Sequence, residues 1–221
     1  MLKRRYDPEI MDDFSIQDER MDLALGELKL VNRFLGGKAT TQKGLRLIRE
    51  GLSPPQALSV LDVGAGGGDV LDDAGVHLNL TVLDRNPGVC RYLKRHSRAS
   101  VICGDAMHLS FRDRSFDIVH ASLFLHHLRE EEIRRMLVSC LRICRRGIII
   151  NDLRRSVFAY AGIKILATLF SKSFMVKHDG PLSVLRGFSR NDLETLLADV
   201  GVTQYALQRR WAFRWLIVIW K

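Results

Sequence analysis

The stretch VLDVGAGGGDV, residues 60–70, decides the fold: a run of small apolar residues ends in a loop almost bare of side chains, with glycine at 64, 66, 67 and 68 and a carboxylate, Asp62, two residues before the first glycine. A strand that ends in closely spaced glycines and opens a helix is a general nucleotide cradle. Glycine permits tight turns and close backbone approach, and free N–H groups at a helix start attract polar or anionic parts of a ligand. Alone, the spacing also suits a dinucleotide site, so the flanks must choose.

Outward from the loop, LSVLDVG is too apolar to have a wet face, as expected of a central parallel strand. Further strands are predicted at 78–84 (LNLTVLD), 99–103 (ASVIC), 116–121 (FDIVHA) and 146–152 (RGIIIND), with helical or turn material between them. Alternation of this kind predicts an α/β chain, a Rossmann-like doubly wound sheet. EEEIRRMLVSCLRIC places Ile133, Met136, Leu137, Cys140, Leu141 and Cys144 on one helical face, with acids first and arginines last, as the helix dipole prefers. On the N-terminal side, residues 15–35 and 40–50 read as helices, the first stopped by Gly36-Gly37, the second by Gly51 before Pro54-Pro55. After the fifth strand, residues 153–188 are rich in Phe, Tyr, Leu and Met without a convincing strand, and read as a helical cap. SRND at 189–192 has the form of a capping box for a last helix. QYALQRR and FRWLIVIW then read as two strands joined by a tight turn, giving seven strands with an antiparallel terminal one. The expected organisation is an N-terminal helical cap segment, 1–53, and a nucleotide-binding domain, 54–221, carrying the cap insertion 153–188.

The 221 residues suit one α/β domain, and no apolar span approaches the roughly 20 residues that cross a bilayer. MLKRRYDPEIMDD has acids where a signal peptide needs an apolar stretch, so a cytoplasmic protein, at most peripheral to a membrane, is expected. Cys90, Cys103, Cys140 and Cys144 form no CxxC pair and read as core thiols. The net charge of +9 is scattered in pairs such as Arg154-Arg155 and Arg209-Arg210, without a long basic block, and reads as a solvated surface rather than a nucleic-acid face. Of the histidines, His77, His96 and His108 are expected on the surface, and Trp211, Trp215 and Trp220 are expected to pack the terminal strand pair.

Two features choose the ligand. Asp62 beside the loop repels a pyrophosphate and suits an ammonium group, and Asp84, closing TVLD, stands where an acid accepts ribose hydroxyls. An adenosine with a cationic amino-acid end satisfies both, and S-adenosylmethionine fits.

LDVGAGGG, LDRNP, GDAMHLSF and SFDIVHASLFLHHL stand in the order and spacing of the class I S-adenosylmethionine-dependent methyltransferases, and the sequence resembles their small-molecule group that includes the ubiquinone and menaquinone biosynthesis enzymes. The resemblance implies S-adenosylmethionine as cofactor and S-adenosylhomocysteine as product. It implies that Asp62, Gly64, Ala65, Gly66 and Gly68 face the methionyl end and Asp84 the ribose. Asp105, between Gly104 and Ala106, faces the adenine amino group, and Ala121 and Ser122 the methionyl side near the methyl. Arg85 departs from the apolar residue usual after the ribose acid; stacking on the adenine face and pointing to water both stay open to it. A cap on a turn is the alternative for Asp62 and Asp105.

The acceptor is read less directly. No Asn/Asp-Pro-Pro-aromatic run, Pro-Cys nucleophile or acidic metal pattern follows the fourth strand, so no metal and no nucleic-acid base is expected. The family shade implies a hydroxyl, or an activated carbon, on a phenolic, quinol or polyketide-like molecule. Phe158, Tyr160, Leu166, Leu169, Phe170, Phe174 and Met175 are candidates for its apolar pocket wall. His178, beside Asp179 at a Gly-Pro turn, is the candidate general base, with holding the turn as its alternative; His126 and His127 are the others, with a structural or cofactor-site role as theirs, and Arg186 is the candidate for an acidic substrate group. Two other classes remain open: an RNA or tRNA methyltransferase, and an enzyme docked on a membrane or on an acidic carrier protein.

Overall fold

The computed structural model describes residues 3–50, 57–71 and 77–221. Seven strands form one sheet: β1 (Leu58–Val63), β2 (Leu78–Asp84), β3 (Ser100–Cys103), β4 (Phe116–Ser122), β5 (Cys144–Leu153), β6 (Tyr205–Arg210) and β7 (Arg214–Trp220), in the order β3-β2-β1-β4-β5-β7-β6. β1 to β5 pair in parallel, and β7 lies antiparallel between β5 and β6. The order reverses between β1 and β4, and in open α/β sheets such a switch point opens a crevice at the carboxyl ends of the strands.

Both faces are covered, which is why the central strands are apolar throughout. Leu61, Val63, Val119, Ile148, Ile150, Ile217 and Ile219 bury one face under α4 (Glu130–Ile143) and α7 (Arg190–Asp199). The intervening Val60, Ile118, Ile149, Leu216 and Val218 meet Leu45 and Ile48 of α2 (Gly37–Arg49). At the β2 end, α1 (Glu19–Phe34) and α3 (Pro87–His96) share a cluster of Met21, Leu25, Val82, Val89 and Leu93. The expected capping box is present: the Asp192 N–H donates to Ser189 Oγ at 3.2 Å and the Ser189 N–H to Asp192 Oδ2 at 2.8 Å.

The cap is two helices, α5 (Val157–Phe170) and α6 (Phe174–Arg186). α5 carries an exposed apolar ridge, with Phe158, Leu169 and Phe170 at 78, 68 and 76% exposure. No helix among the described residues is long and apolar enough to cross a membrane. Ahead of α1, residues 3–18 run over the site and are tied to the cap and to the segment after β4. The Ile10 and Met11 N–H groups donate to the Asp179 carboxylate at 2.9 and 3.0 Å, and Arg4 donates to Glu130 at 2.8 Å.

Four expectations are corrected. The glycine loop opens no helix among the described residues: 64–71 are turns and coil, with positive φ at Gly64, Gly66 and Gly68. Gly180-Pro181 is no turn but lies inside α6. Proline lacks the N–H that an inner helix turn uses, yet the buried Asp179 anchors the helix there and Ser183 Oγ donates to the Asp179 carbonyl at 2.9 Å. Cys103 is exposed, because it ends the edge strand β3, whereas the other three thiols are buried. Trp211 is 75% exposed in the β6–β7 turn, while Trp215 is buried and donates its indole N–H to the Phe188 carbonyl at 3.0 Å. Gly51 and Pro54-Pro55 lie outside the described residues.

Candidate active site

A cavity of about 880 Å3 occupies the carboxyl ends of the strands, walled by α1, α5, α6, the segment after β4 and the β6–β7 turn. Its β1–β3 end collects most of the expected cofactor residues. Asp84, the last residue of β2, accepts the Gly66 N–H at 3.1 Å and the Asn86 N–H at 2.9 Å. Burial pushes its carboxyl above the ordinary aspartate value, the charge of Asp62 adds to this, and the two N–H donors act in the opposite direction. A hydroxyl pair would relieve that cost by donating to the carboxylate.

Gly66, at φ +51°, has nothing within 4 Å of where a Cβ would stand, so its backbone faces open space. Gly64 makes room for a ring: a Cβ there would lie 2.1 Å from Phe124 Cδ2. Gly64, Ala65 and Gly66 line the cavity and Gly68 does not, because Gly68 serves close packing against Leu93 of α3. Gly104, Asp105 and Ala106 line it as well. Arg85 takes neither of its open roles alone: its guanidinium sits 4.9 Å over the Phe14 ring and 3.9 Å from Asp105 Oδ2. Ser122 lines the cavity with its buried hydroxyl unpartnered, whereas Ala121 is packed in the sheet core away from it.

Asp62 also reaches the cavity, as the end of a buried polar chain beneath its floor. His120 Nδ1 lies 2.7 Å from Asp62 Oδ1, and His120 Nε2 lies 2.9 Å from Thr41 Oγ1. Asn151 donates to Thr41 Oγ1 and to the Gly37 carbonyl, and Arg214 donates to Asn151 Oδ1, Asn32 Oδ1 and the Leu35 carbonyl. Burial depresses the Arg214 guanidinium to about 10. Satisfied buried networks of this kind lock their neighbours into one arrangement, here the α1–α2 corner against the carboxyl ends of β1, β4 and β5.

Beyond β4 the two adjacent histidines are each held at Nδ1 by a carboxylate. His126 pairs with Asp152 at 2.7 Å and His127 with Asp12 at 2.7 Å. Burial pushes both acids up, but the hydrogen bonds and charge of the histidines outweigh it and leave both below the ordinary range. With Nδ1 occupied, Nε2 is the nitrogen left on each ring. These lie 3.7 and 3.9 Å from the oxygens of Glu9, whose carboxyl burial raises. Glu9, His126 and His127 thus bring three ligand-type atoms within 4.8 Å. Arg186 already counters the negative charge here, 3.7 Å from Glu9 and donating to Asp12 at 2.9 Å.

Several sequence-derived candidates stand elsewhere. His178 does not line the cavity; it is half exposed, with Nδ1 2.8 Å from Asp179. Arg186 is buried and does not line the cavity; it donates to the carbonyls of Asp7, His126 and His127 and to Asp12, and so is not placed to orient a substrate acid there. Tyr160, Leu169, Phe170, Phe174 and Met175 do not reach the cavity, Met175 packing instead beside Met21 and Val89. Phe158 does, at the cavity's exposed rim, and with Gly162, Ile163 and Leu166 it forms the stripe of α5 that lines it. Glu9, Asp12, Phe14, Phe124, Arg154 and Arg210 also line the cavity and were missed. The helical spacing 158, 162, 166 could have identified the stripe; nothing local marks Glu9 or Asp12.

Residues 60–147 match the methyltransferase domain family. A demethylmenaquinone methyltransferase of Thermotoga maritima is 32% identical over 121 residues, 53% of this chain and 52% of the relative, so the chain spans about half the length of the curated relative it matches. Among solved structures, the plantazolicin methyltransferase BpumL in complex with SAH superposes with a TM-score of 0.68 at 15% identity, over 96% of this chain and 98% of the other. The magnesium protoporphyrin IX methyltransferase of Synechocystis PCC 6803 gives 0.56 at 15%, over 84 and 83%. Residues 60–147 are thus similar to a methyltransferase domain, and the fold built around them is the one shared with these solved methyltransferases.

Proposed function

We propose that the chain moves the methyl group of S-adenosylmethionine to a hydroxyl, or an activated carbon, of a small and largely apolar acceptor. What carries this reading is that the cofactor-type residues and a carboxylate-held histidine open onto one cavity. The residues fit the cofactor: Asp84 is a carboxylate whose charged form burial disfavours and two backbone N–H groups only partly offset, Gly66 exposes bare backbone, and Ser122 has an unpartnered hydroxyl. Asp84 would hold the ribose, Asp105 the adenine side, and the 64–66 loop with Ser122 the amino-acid side. When bound, the cofactor supplies an electrophilic methyl on a sulfonium.

The chain's own part is alignment, exclusion of water and removal of one proton. His127 takes the acceptor's proton at Nε2, since Asp12 holds Nδ1 and favours the imidazolium that forms. Glu9, 3.9 Å away, adds to that stabilisation, while His126, buried and held by Asp152, positions the ring beside it with centroids 4.3 Å apart. The α5 stripe, Leu28, Val31 and Phe124 supply apolar walls, in keeping with the demethylmenaquinone named for the Thermotoga maritima relative.

Calorimetry with S-adenosylhomocysteine, then transfer of labelled methyl to a panel of phenols and pyrones, tests the reading. Binding in the micromolar range and at least one labelled phenol or pyrone are expected. Tight NAD binding in place of S-adenosylhomocysteine overturns it, and so does labelling of RNA alone.

A further inference from the structure

Glu9, His126 and His127 come from the strap ahead of α1 and from the segment after β4, and all three line the cavity. Both imidazoles turn the same edge toward Glu9. Each Nδ1 is taken by a carboxylate at 2.7 Å, Asp152 for His126 and Asp12 for His127, and each Nε2 faces one oxygen of Glu9, Oε1 at 3.7 Å and Oε2 at 3.9 Å. Among the described residues neither Nε2 has a hydrogen-bond partner, although His126 is only 3% exposed. The spacing is too long for a hydrogen bond and near what one shared ion requires. Bonds of about 2.0–2.1 Å to a tetrahedral ion set its ligands about 3.4 Å apart, so a closure of about half an ångström by Glu9 would complete the shell.

Charge points the same way. Glu9, Asp12 and Asp152 bring three negative charges to the two rings, and Arg186 returns one positive charge, 3.7 Å from Glu9 and 2.9 Å from Asp12. Protonating both histidines would balance the remaining two, but would set two imidazolium rings with centroids 4.3 Å apart, where like charges repel. One divalent ion balances them without that repulsion. Two imidazoles and a carboxylate are the donors of a zinc-type ion rather than of magnesium or calcium, and a carboxylate on the far nitrogen of each imidazole is the usual outer support of such ligands. We propose that Glu9, His126 and His127 bind a divalent transition-metal cation of the zinc type. The expectation of no metal looked only after the fourth strand, whereas the carboxylate ligand stands at position 9. The ion takes the same His127 Nε2 that receives the acceptor's proton, so metal occupancy and proton removal exclude each other and zinc inhibits methyl transfer. That consequence rests on the methyltransferase reading; metal binding does not.

The full chain, stripped with a chelator, is titrated calorimetrically with Zn²⁺ and with Mg²⁺, and with Co²⁺ while its visible absorption is followed. Zn²⁺ is expected to bind one ion per chain in the micromolar range or tighter, about a hundredfold or more ahead of Mg²⁺, and Co²⁺ to develop the intense bands of a four- or five-coordinate site. Glu9→Gln and His127→Gln should each weaken Zn²⁺ by about tenfold or more and remove the Co²⁺ bands, whereas His178→Ala, outside the cavity, should leave both unchanged. Two separate ligand variants keep the test open should one of them fail to fold, which melting curves report. Zn²⁺ binding no tighter than Mg²⁺, or Zn²⁺ affinity unchanged in both ligand variants, overturns the site. Methyl transfer should fall in proportion to Zn²⁺ occupancy and return on chelation; undiminished transfer with the site filled overturns the exclusion. A chain that transfers no methyl to any acceptor sinks the methyltransferase reading separately, because the Co²⁺ spectrum decides the metal site without the reaction.

Discussion

The two ends of the cavity are built in different ways. At the β1–β3 end each functional group is set by its neighbours in sequence: Asp84 ends a strand and takes N–H donors two residues on and 18 residues back, and Asp105 accepts the Met107 N–H at 2.9 Å in its own turn. At the other end the groups meet from opposite parts of the chain. Asp12 reaches His127 across 115 positions, and Arg186 reaches Asp7 across 179. A short motif can specify the first kind of site, whereas the second exists only once distant segments have docked.

That difference should appear when each end is damaged. The largest effect is expected from His127→Ala: kcat should fall by roughly 10² to 10⁴, as for loss of a general base, with S-adenosylhomocysteine affinity held. Equal losses in both quantities would mean that the two ends are not separable. Next, Asp84→Ala should weaken S-adenosylhomocysteine by about 1.5 to 3 kcal/mol in calorimetry, since the ribose loses a charged acceptor.

Asp84→Asn sharpens the same point through stability. Burial raises the folded-state carboxyl above its unfolded value, so the ionised group opposes folding at neutral pH. The ligand-free variant should melt higher by roughly 2–4 °C at pH 7. That gain should fade as pH falls through the raised folded-state value and vanish below the ordinary aspartate range, which melting curves across pH would show. The smallest effect belongs to His178→Ala, which should change kcat by less than about threefold, because the ring stands outside the cavity. A larger drop with the acidic limb of the pH profile removed would return the proton-removing role to it.

All seven strands, their near-parallel order and the capping box before α7 were legible because periodicity and capping are local properties. The meeting of Asp84, Asp105 and the glycines at 64 and 66 at one cavity was legible because each sits in a short motif at a strand end. Gly68 has the right spacing but meets Leu93, a packing partner that no spacing announces. His178 and Arg186 were attractive as polar residues in an apolar segment, yet α6 continues through Pro181, leaving one ring outside and enclosing the other side chain among the carbonyls of distant residues. Arg209-Arg210 read as one surface pair, but alternation along β6 sends only Arg210 to the cavity wall. Asp12 and Glu9 lie in an acidic N-terminal stretch whose value comes wholly from where it lands.

The strap formed by residues 3–18 also has a consequence for the order in which the molecule assembles. Its anchors lie near the other end of the chain: Asp179 receives the N–H groups of Ile10 and Met11, and the Arg186 carbonyl receives Arg4 Nε. During synthesis this stretch leaves the ribosome well before its anchors and must wait, unpaired, until nearly the whole sheet and both cap helices have followed. Contacts of such sequence separation form late because their loop-closure entropy is compensated only by structure already in place. The β1–β3 end of the cavity can therefore mature while the end built on the strap is still open, and a refolding chain should recover S-adenosylhomocysteine binding before it recovers turnover.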